Sequence, residues 1–264
     1  MIIHHIPIPS PLTLTPEPFT REAFAPFGDA ISNPRPDRLP SSLTTSTAAA
    51  ADPLPFGAVS ANQGTAIQYR ALASVREFYA TQAPSREPAS PRLTIFVCGA
   101  RELVPVPVDG TGTGTGTGRG VKVEFLERHP FTSQTFVPLG GAPAARYLVV
   151  VAPTLAEDPA GAGADAGRVP VPKGEGESES KGGGLPDVRA LRAFVATGRQ
   201  AVTYAPGTWH APMMALGPEG GALDFVVTQF ANDVPLEDCQ EVRLEGAEVL
   251  VRVPAPEGRG GSKL

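Results

Sequence analysis

A succession of short runs rich in β-branched and aromatic residues, each closed off by Gly, Pro or Asp, constrains this chain more than any other feature. LTIFVC (Leu93 to Cys98), VKVEFL (Val121 to Leu126), QTFVPL (Gln134 to Leu139) and ARYLVVVA (Ala145 to Ala152) are followed by QAVTYA (Gln200 to Ala205), LDFVVTQF (Leu223 to Phe230) and EVLVRV (Glu248 to Val253). Each is too short for an ordinary helix and has the composition of a strand. Many short strands separated by turn residues fold into a sandwich or barrel, and 29 Gly and 30 Pro in 264 residues supply the turns.

Two segments read as helices. TREAFAPFG has Thr20 as N-cap and stops at Gly28. LPDVRALRAFVATG opens with Pro186-Asp187, places Val188, Leu191 and Val195 at helical spacing, and stops at Gly198. The apolar faces of both, with Phe24, Phe27 and Phe194, are expected to pack on the sheets. Residues 109–120 (DGTGTGTGTGRG) and 156–184 lack large apolar side chains and read as low-complexity surface insertions. The Thr-Gly repeat has no Lys-Ser/Thr ending, so it is no phosphate-cradling loop. Setting these and the termini aside leaves roughly 190 residues, one domain folded over about 12–253.

A net charge of −5, with Lys and Arg dispersed, argues against nucleic acid or an anionic membrane as partner. Cys98 and Cys239 make neither a disulfide framework nor a zinc pattern and are expected to be reduced thiols. Prolines interrupt the early apolar stretch MIIHHIPIPSPLTLTPEPF, and no long apolar run follows, so the chain is expected to be neither secreted nor membrane-spanning. Its last three residues, Ser262, Lys263 and Leu264, form the peroxisomal address read by an import receptor.

Of four histidines, His4 and His5 lie in the amino-terminal tail, and both internal ones fall in pieces resembling the ligand motifs of cupin barrels. Where cupins carry His-x-His-x4-Glu, this chain has Glu127-x-His129-x4-Gln134; where they carry Gly-x-x-His, it has Gly207-Thr208-Trp209-His210. Residues two apart in a strand share a face, so Glu127 and His129 would both point inward and Arg128 away. Two imidazoles, a carboxylate and an amide oxygen can hold nickel, manganese, iron or zinc, though the neutral amide of Gln134 is a weaker ligand than Glu. The alternative needs no metal: His129 and His210 titrate near neutrality and exchange protons with a substrate, with Glu127 orienting one ring. Trp209 and Tyr204 read as packing at the barrel mouth.

FLERHPFTSQTFVPLGG, PDVRALRAFVATGRQAVTYAPGTWHAPMMAL and DFVVTQFANDVPLEDC resemble the ureidoglycolate lyase family, also called ureidoglycolate hydrolase. PFTREAFAPFGDAI and SANQGTAIQYRAL (Ser60 to Leu72) do so as well, and the likeness covers most of the chain outside the low-complexity segments. The resemblance implies a mainly β, cupin-like antiparallel β-barrel or double-stranded β-helix, a homodimer, and cleavage of (S)-ureidoglycolate to glyoxylate and urea in allantoin and purine nitrogen catabolism. It also associates nickel with the activity. On this substrate one histidine would take the hydroxyl proton and the other would protonate the departing urea. Arg128 would bind the substrate carboxylate or make an ion pair elsewhere, and Gln134 would bind the ureido group, with Asn62, Gln63 and Tyr69 as further substrate contacts. Two rival readings are an amidohydrolase releasing ammonia and carbon dioxide from the same compound, and a non-catalytic cupin-like module that binds a small acid.

Overall fold

The computed structural model describes residues 2–43, 52–107, 117–140, 144–155 and 184–255. The strand Arg146–Ala152 shows how the apolar runs are used. Its side chains alternate between faces, so Tyr147, Val149 and Val151 enter one buried cluster while Leu148, Val150 and Ala152 enter another. A strand covered on both sides has no polar face, which is why RYLVVVA reads as an unbroken run.

That strand lies in an eight-stranded sheet ordered Ile2–Ile8, Gln240–Gly246, Phe125–Arg128, Trp209–His210, Arg146–Ala152, Arg192–Thr197 and Glu17–Pro18, with Met214–Leu216 also paired to Arg146–Ala152. One face packs on a five-stranded sheet, ordered Gly28–Ile31, Ala201–Tyr204, Gln134–Leu139, Ala222–Ala231 and Ser90–Gly99, through Phe136, Val202, Phe225 and Val227. The other packs on a four-stranded sheet, ordered Leu12–Leu14, Val249–Arg252, Thr117–Val123 and Val104–Pro107, through Val121, Val123, Val249 and Val251. The protein is mainly β, with stacked sheets consistent with a cupin-like fold. Among the described residues no ring of strand pairings closes, and the sheets pack face to face. Each fully buried Val, Leu or Phe contributes about 1.5–3 kcal/mol.

Several expectations change. The segment from Pro186 is not a helix. A 3-10 turn, Val188–Ala190, is capped by Asp187, whose carboxylate accepts from Arg189 N at 3.0 Å, and the strand Arg192–Thr197 follows. Leu191 and Ala193 face one cluster, Phe194 and Ala196 the other, so two-sided burial produced the helix-like spacing. The first helix is one turn, Arg21–Phe24, with Thr20 Oγ1 accepting from Ala23 N as expected of an N-cap. VKVEFL divides between two strands, Thr117–Val123 and Phe125–Arg128. Thr117–Gly120, expected in a surface insertion, begins the former; Gly120 is required there because a Cβ would meet Val251 O at 2.8 Å. The remainder of that insertion at 109–116, the segment 156–183, and Ser262, Lys263 and Leu264 lie outside the described residues.

The amino-terminal tail is also part of the fold. Ile2–Ile8, Leu12–Leu14 and Glu17–Pro18 add in parallel to Gln240–Gly246, Val249–Arg252 and Arg192–Thr197, so one Pro-rich stretch covers three sheet edges. Other ladders are antiparallel. Among the described residues no helix is long and apolar enough to cross a membrane.

Candidate active site

Pro206-Gly207 sets the position of His210. Thr208 N donates to Ala205 O at 3.0 Å across a turn with Pro second and Gly third, and Gly207 has the φ of 76° that a type II turn demands. Gly207 N also donates to His129 O at 2.8 Å, joining the two motif pieces. The short strand Trp209–His210 then lies between Phe125–Arg128 and Arg146–Ala152, with His210 opposite Glu127. Alternation sends Glu127 and His210 to the face that meets the five-stranded sheet, and Arg128 and Trp209 to the opposite face.

The structure brings Glu127, His129 and His210 together, with one ligand-type atom from each lying within 4.8 Å of the others. His129 is 7% and His210 2% exposed, and their ring centroids are 5.7 Å apart. His129 Nδ1 lies 2.6 Å from Asp238 O, and His210 Nδ1 lies 2.9 Å from Thr208 O. A carbonyl can only accept, so each Nδ1 carries the hydrogen and each neutral ring keeps a bare Nε2. Neither Nε2 has a hydrogen-bond partner; Glu127 Oε1 is 3.4 Å from that of His210. The Tyr204 ring stacks on His210 at 3.9 Å, fixing the imidazole plane.

Burial acts to raise the Glu127 carboxyl, but His210 beside it, and His129 beyond, outweigh burial and hold its pKa below the usual carboxylate value. Burial foremost, then the charge of His210, lowers the His129 pKa below that of a free imidazole, against the opposing pull of Glu127. Cys239 is free; burial, with Glu127 and Glu241 nearby, pushes its thiol up to about 12, so it stays protonated. Cys98 is free as well.

The carbonyl that orients His129 is itself anchored. Asp238 closes the one-turn helix Pro235–Asp238; its carboxylate accepts from Tyr79 Oη at 2.8 Å, Asn232 N at 3.0 Å and Asp233 N at 2.8 Å. Its neighbour Glu237, 2% exposed, accepts from Ser85 N, Ser85 Oγ and Asn232 Nδ2. The loop after His129 is held from the same side, where Ser133 and the Arg76 backbone exchange hydrogen bonds and Phe131 packs on Tyr79. Asp238 and Glu237 lie in the stretch DFVVTQFANDVPLEDC, but neither they nor Tyr79 fall in a ligand motif, because a backbone carbonyl as ring partner leaves no signature in the side-chain sequence.

The remaining expected residues fall in different places. Gln134 is buried, pairs with Tyr204 in register, and donates through Nε2 to Gln229 Oε1 at 2.6 Å. Arg128 points away from the two histidines. It is buried on the opposite face, donating to Gln240 Oε1 at 2.8 Å and Gly184 O at 3.0 Å, with its guanidinium 4.5 Å over the Trp209 ring. Trp209 packs in that core too and donates to Gly184 O at 3.1 Å. Asn62 and Gln63 are exposed in a tight turn with positive φ, between Val59–Ala61 and Ala66–Gln68. Tyr69 is half-buried just beyond. Among the described residues no hydrogen bond, ion pair or ring contact joins these three to either internal histidine.

Two bare Nε2 atoms that the protein leaves without partners, beside a carboxylate, are a donor set suited to a divalent cation. The same set suits proton transfer, since each Nε2 can take and return a proton.

The sequence model of the ureidoglycolate lyase family matches residues 11–251. The ureidoglycolate lyase of Saccharomyces cerevisiae is 32% identical over 249 residues, covering 91% of this chain and 98% of that protein. That of Burkholderia cepacia is 32% identical over 247 residues, covering 93% and 94%. That of Schizosaccharomyces pombe is 28% identical over 252 residues, covering 89% and 93%. The match runs through both motif pieces and all three stacked sheets, and the chain belongs to the ureidoglycolate lyase family.

Proposed function

We propose that this protein cleaves ureidoglycolate to glyoxylate and urea, with His129 and His210 transferring the protons. The observation that carries the mechanism is the pair of buried imidazoles, each with Nδ1–H bound to a backbone carbonyl and a bare Nε2 beside Glu127. In the substrate one carbon bears hydroxyl, carboxylate, hydrogen and the urea nitrogen. Loss of the hydroxyl proton lets the oxygen form the carbonyl of glyoxylate as the carbon–nitrogen bond breaks. The bond pair leaves on nitrogen, which takes a proton and departs as urea; nothing else is consumed.

His129 is the base, because its lowered pKa leaves it unprotonated at neutral pH. His210 is the acid. Its Nε2 lies 3.4 Å from Glu127 Oε1, where a proton can be shared between the two and passed to the departing nitrogen, and its ring is held by Tyr204 at 3.9 Å. In the alternative with a divalent cation, His129, His210 and Glu127 would hold it, and it would take the base's part by polarising the substrate hydroxyl and lowering its pKa. Each proton transfer is worth about 10²- to 10⁴-fold in rate. The test is turnover by His129→Gln and His210→Gln, each expected to lose about that factor in kcat/KM while remaining folded. Full activity in both would remove this site. Exhaustive chelation, with bound metal counted and nickel or manganese restored, decides whether a cation takes part.

Two further readings accompany the activity. Ser262-Lys263-Leu264 directs the protein to the peroxisome. A fusion carrying a fluorescent protein at its amino terminus is expected to be punctate and to disperse when these three residues are deleted; an unchanged pattern contradicts the address. The protein is also a homodimer, supported by the exposed apolar residues Leu93, Ile95, Val97, Val137 and Leu139 on the outer face of the five-stranded sheet.

A further inference from the structure

Gln229 falls in no ligand motif, yet it stands in the row that leads into the site, between Gln134 and Arg92. Thr135 opposes Thr228 and Phe136 opposes Val227, so Gln134 and Gln229 form the next cross-strand pair. On its other flank Gln134 pairs with Tyr204, whose ring lies on His210. Tyr204, Gln134 and Gln229 therefore line one row, facing inward with Phe136 and Val227 of the first cluster.

Gln134 is 4% exposed, and its Oε1 has no hydrogen-bond partner. Leaving an amide oxygen buried and unpaired costs about 1–3 kcal/mol, and a site tolerates that where a ligand supplies the donor. Its Nε2 is committed to Gln229 Oε1 at 2.6 Å, which leaves the pair presenting an acceptor on Gln134 and the amide hydrogens of Gln229. A carboxylate has no hydrogen to give the Gln134 oxygen. A ureido group offers N–H donors beside a carbonyl acceptor, the complement of that edge.

We propose that Gln134 and Gln229 form the subsite that recognises the ureido group, Gln134 Oε1 accepting from a ureido N–H and Gln229 Nε2 donating to the ureido oxygen. This rests on the ureidoglycolate reading and adds a specificity residue to it. It also gives a reason for an amide rather than a carboxylate at 134, since Glu could not donate to Gln229 while accepting from substrate.

The test is Gln229→Met in the full-length protein, with urea and glyoxylate compared as inhibitors of ureidoglycolate cleavage. The expected result is a KM for ureidoglycolate and an inhibition constant for urea each raised about three- to tenfold, the loss of a hydrogen bond or two, with the glyoxylate constant unchanged. An unchanged urea constant, or weakened glyoxylate instead, overturns the assignment. Should wild-type protein fail to cleave ureidoglycolate, the activity reading falls separately, and calorimetric titration with urea still tests the subsite. Saturable urea binding to wild type that Gln229→Met weakens supports it; no urea binding to wild type, or equal binding to both, contradicts it.

Discussion

His129 is held by a backbone carbonyl where many catalytic histidines are held by a carboxylate, and this has consequences for its titration. Its pKa is lowered in the folded state, so the unfolded chain binds the proton more readily. The sign follows: this contribution to stability is present above the ordinary imidazole value of 6.5 and is lost as pH falls below it. Glu127, also lowered, adds a loss of the same sign at more acid pH. Metal-stripped protein is expected to lose thermal stability from pH 7.5 to 5.5, and His129→Gln to flatten that slope; equal slopes would contradict a buried neutral His129. Much of this residue set was legible, because Glu127-x-His129 and Gly207-x-x-His210 carry their spacing in the sequence. Arg128 was not. Its alternation away from Glu127 was readable, but only the third layer of the fold turns that face into a core over Trp209.

At the scale of elements, the strand Arg192–Thr197 shows how two-sided burial defeats periodicity. Phe194, fully buried among Phe19, Phe24 and Phe27, closes the first cluster at the end of the large sheet. Phe194→Ala is expected to cost about 3–5 kcal/mol by chemical denaturation; a loss under about 1 kcal/mol would mean that the ring is not packed there. The one-turn helix Pro235–Asp238 has the opposite character, short in sequence and indispensable in position, since Asp238 O orients His129. Burial pushes the Tyr79 hydroxyl well above its usual pKa, with help from Asp238, so it remains a donor to that carboxylate. Tyr79→Phe is expected to destabilise by about 1.5–3 kcal/mol, the range for a hydrogen bond to a charged group, and to lower kcat more than it raises KM. An unchanged kcat would show that His129 keeps its orientation without this anchor. Strands with a clean composition, such as Gln134–Leu139 and Arg146–Ala152, were readable; the amino-terminal edge strands were not, because prolines mask them and their pairing is wholly non-local.

At the scale of the whole molecule, one face of the five-stranded sheet carries exposed apolar side chains among the described residues. Leu93, Ile95 and Val97 project from the ten-residue strand Ser90–Gly99, which forms an open edge of the five-stranded sheet, and Ile95, Val226 and Val137 fall in one cross-strand row. Light scattering is expected to give twice the chain mass for the wild type and the single mass for Ile95→Lys; a monomeric wild type, or a variant still dimeric, contradicts this interface. The stacking also explains why chemistry sits where it does, since the large sheet delivers Glu127 and His210 to its inner face and the smaller sheet brings Tyr204, Gln134 and Gln229 opposite. The central claim is that this inner face splits a ureido acid without hydrolysing the urea. Purified protein supplied with ureidoglycolate should release urea and glyoxylate in equal amounts, with no ammonia. Ammonia appearing in place of urea, or no consumption of ureidoglycolate, would contradict it.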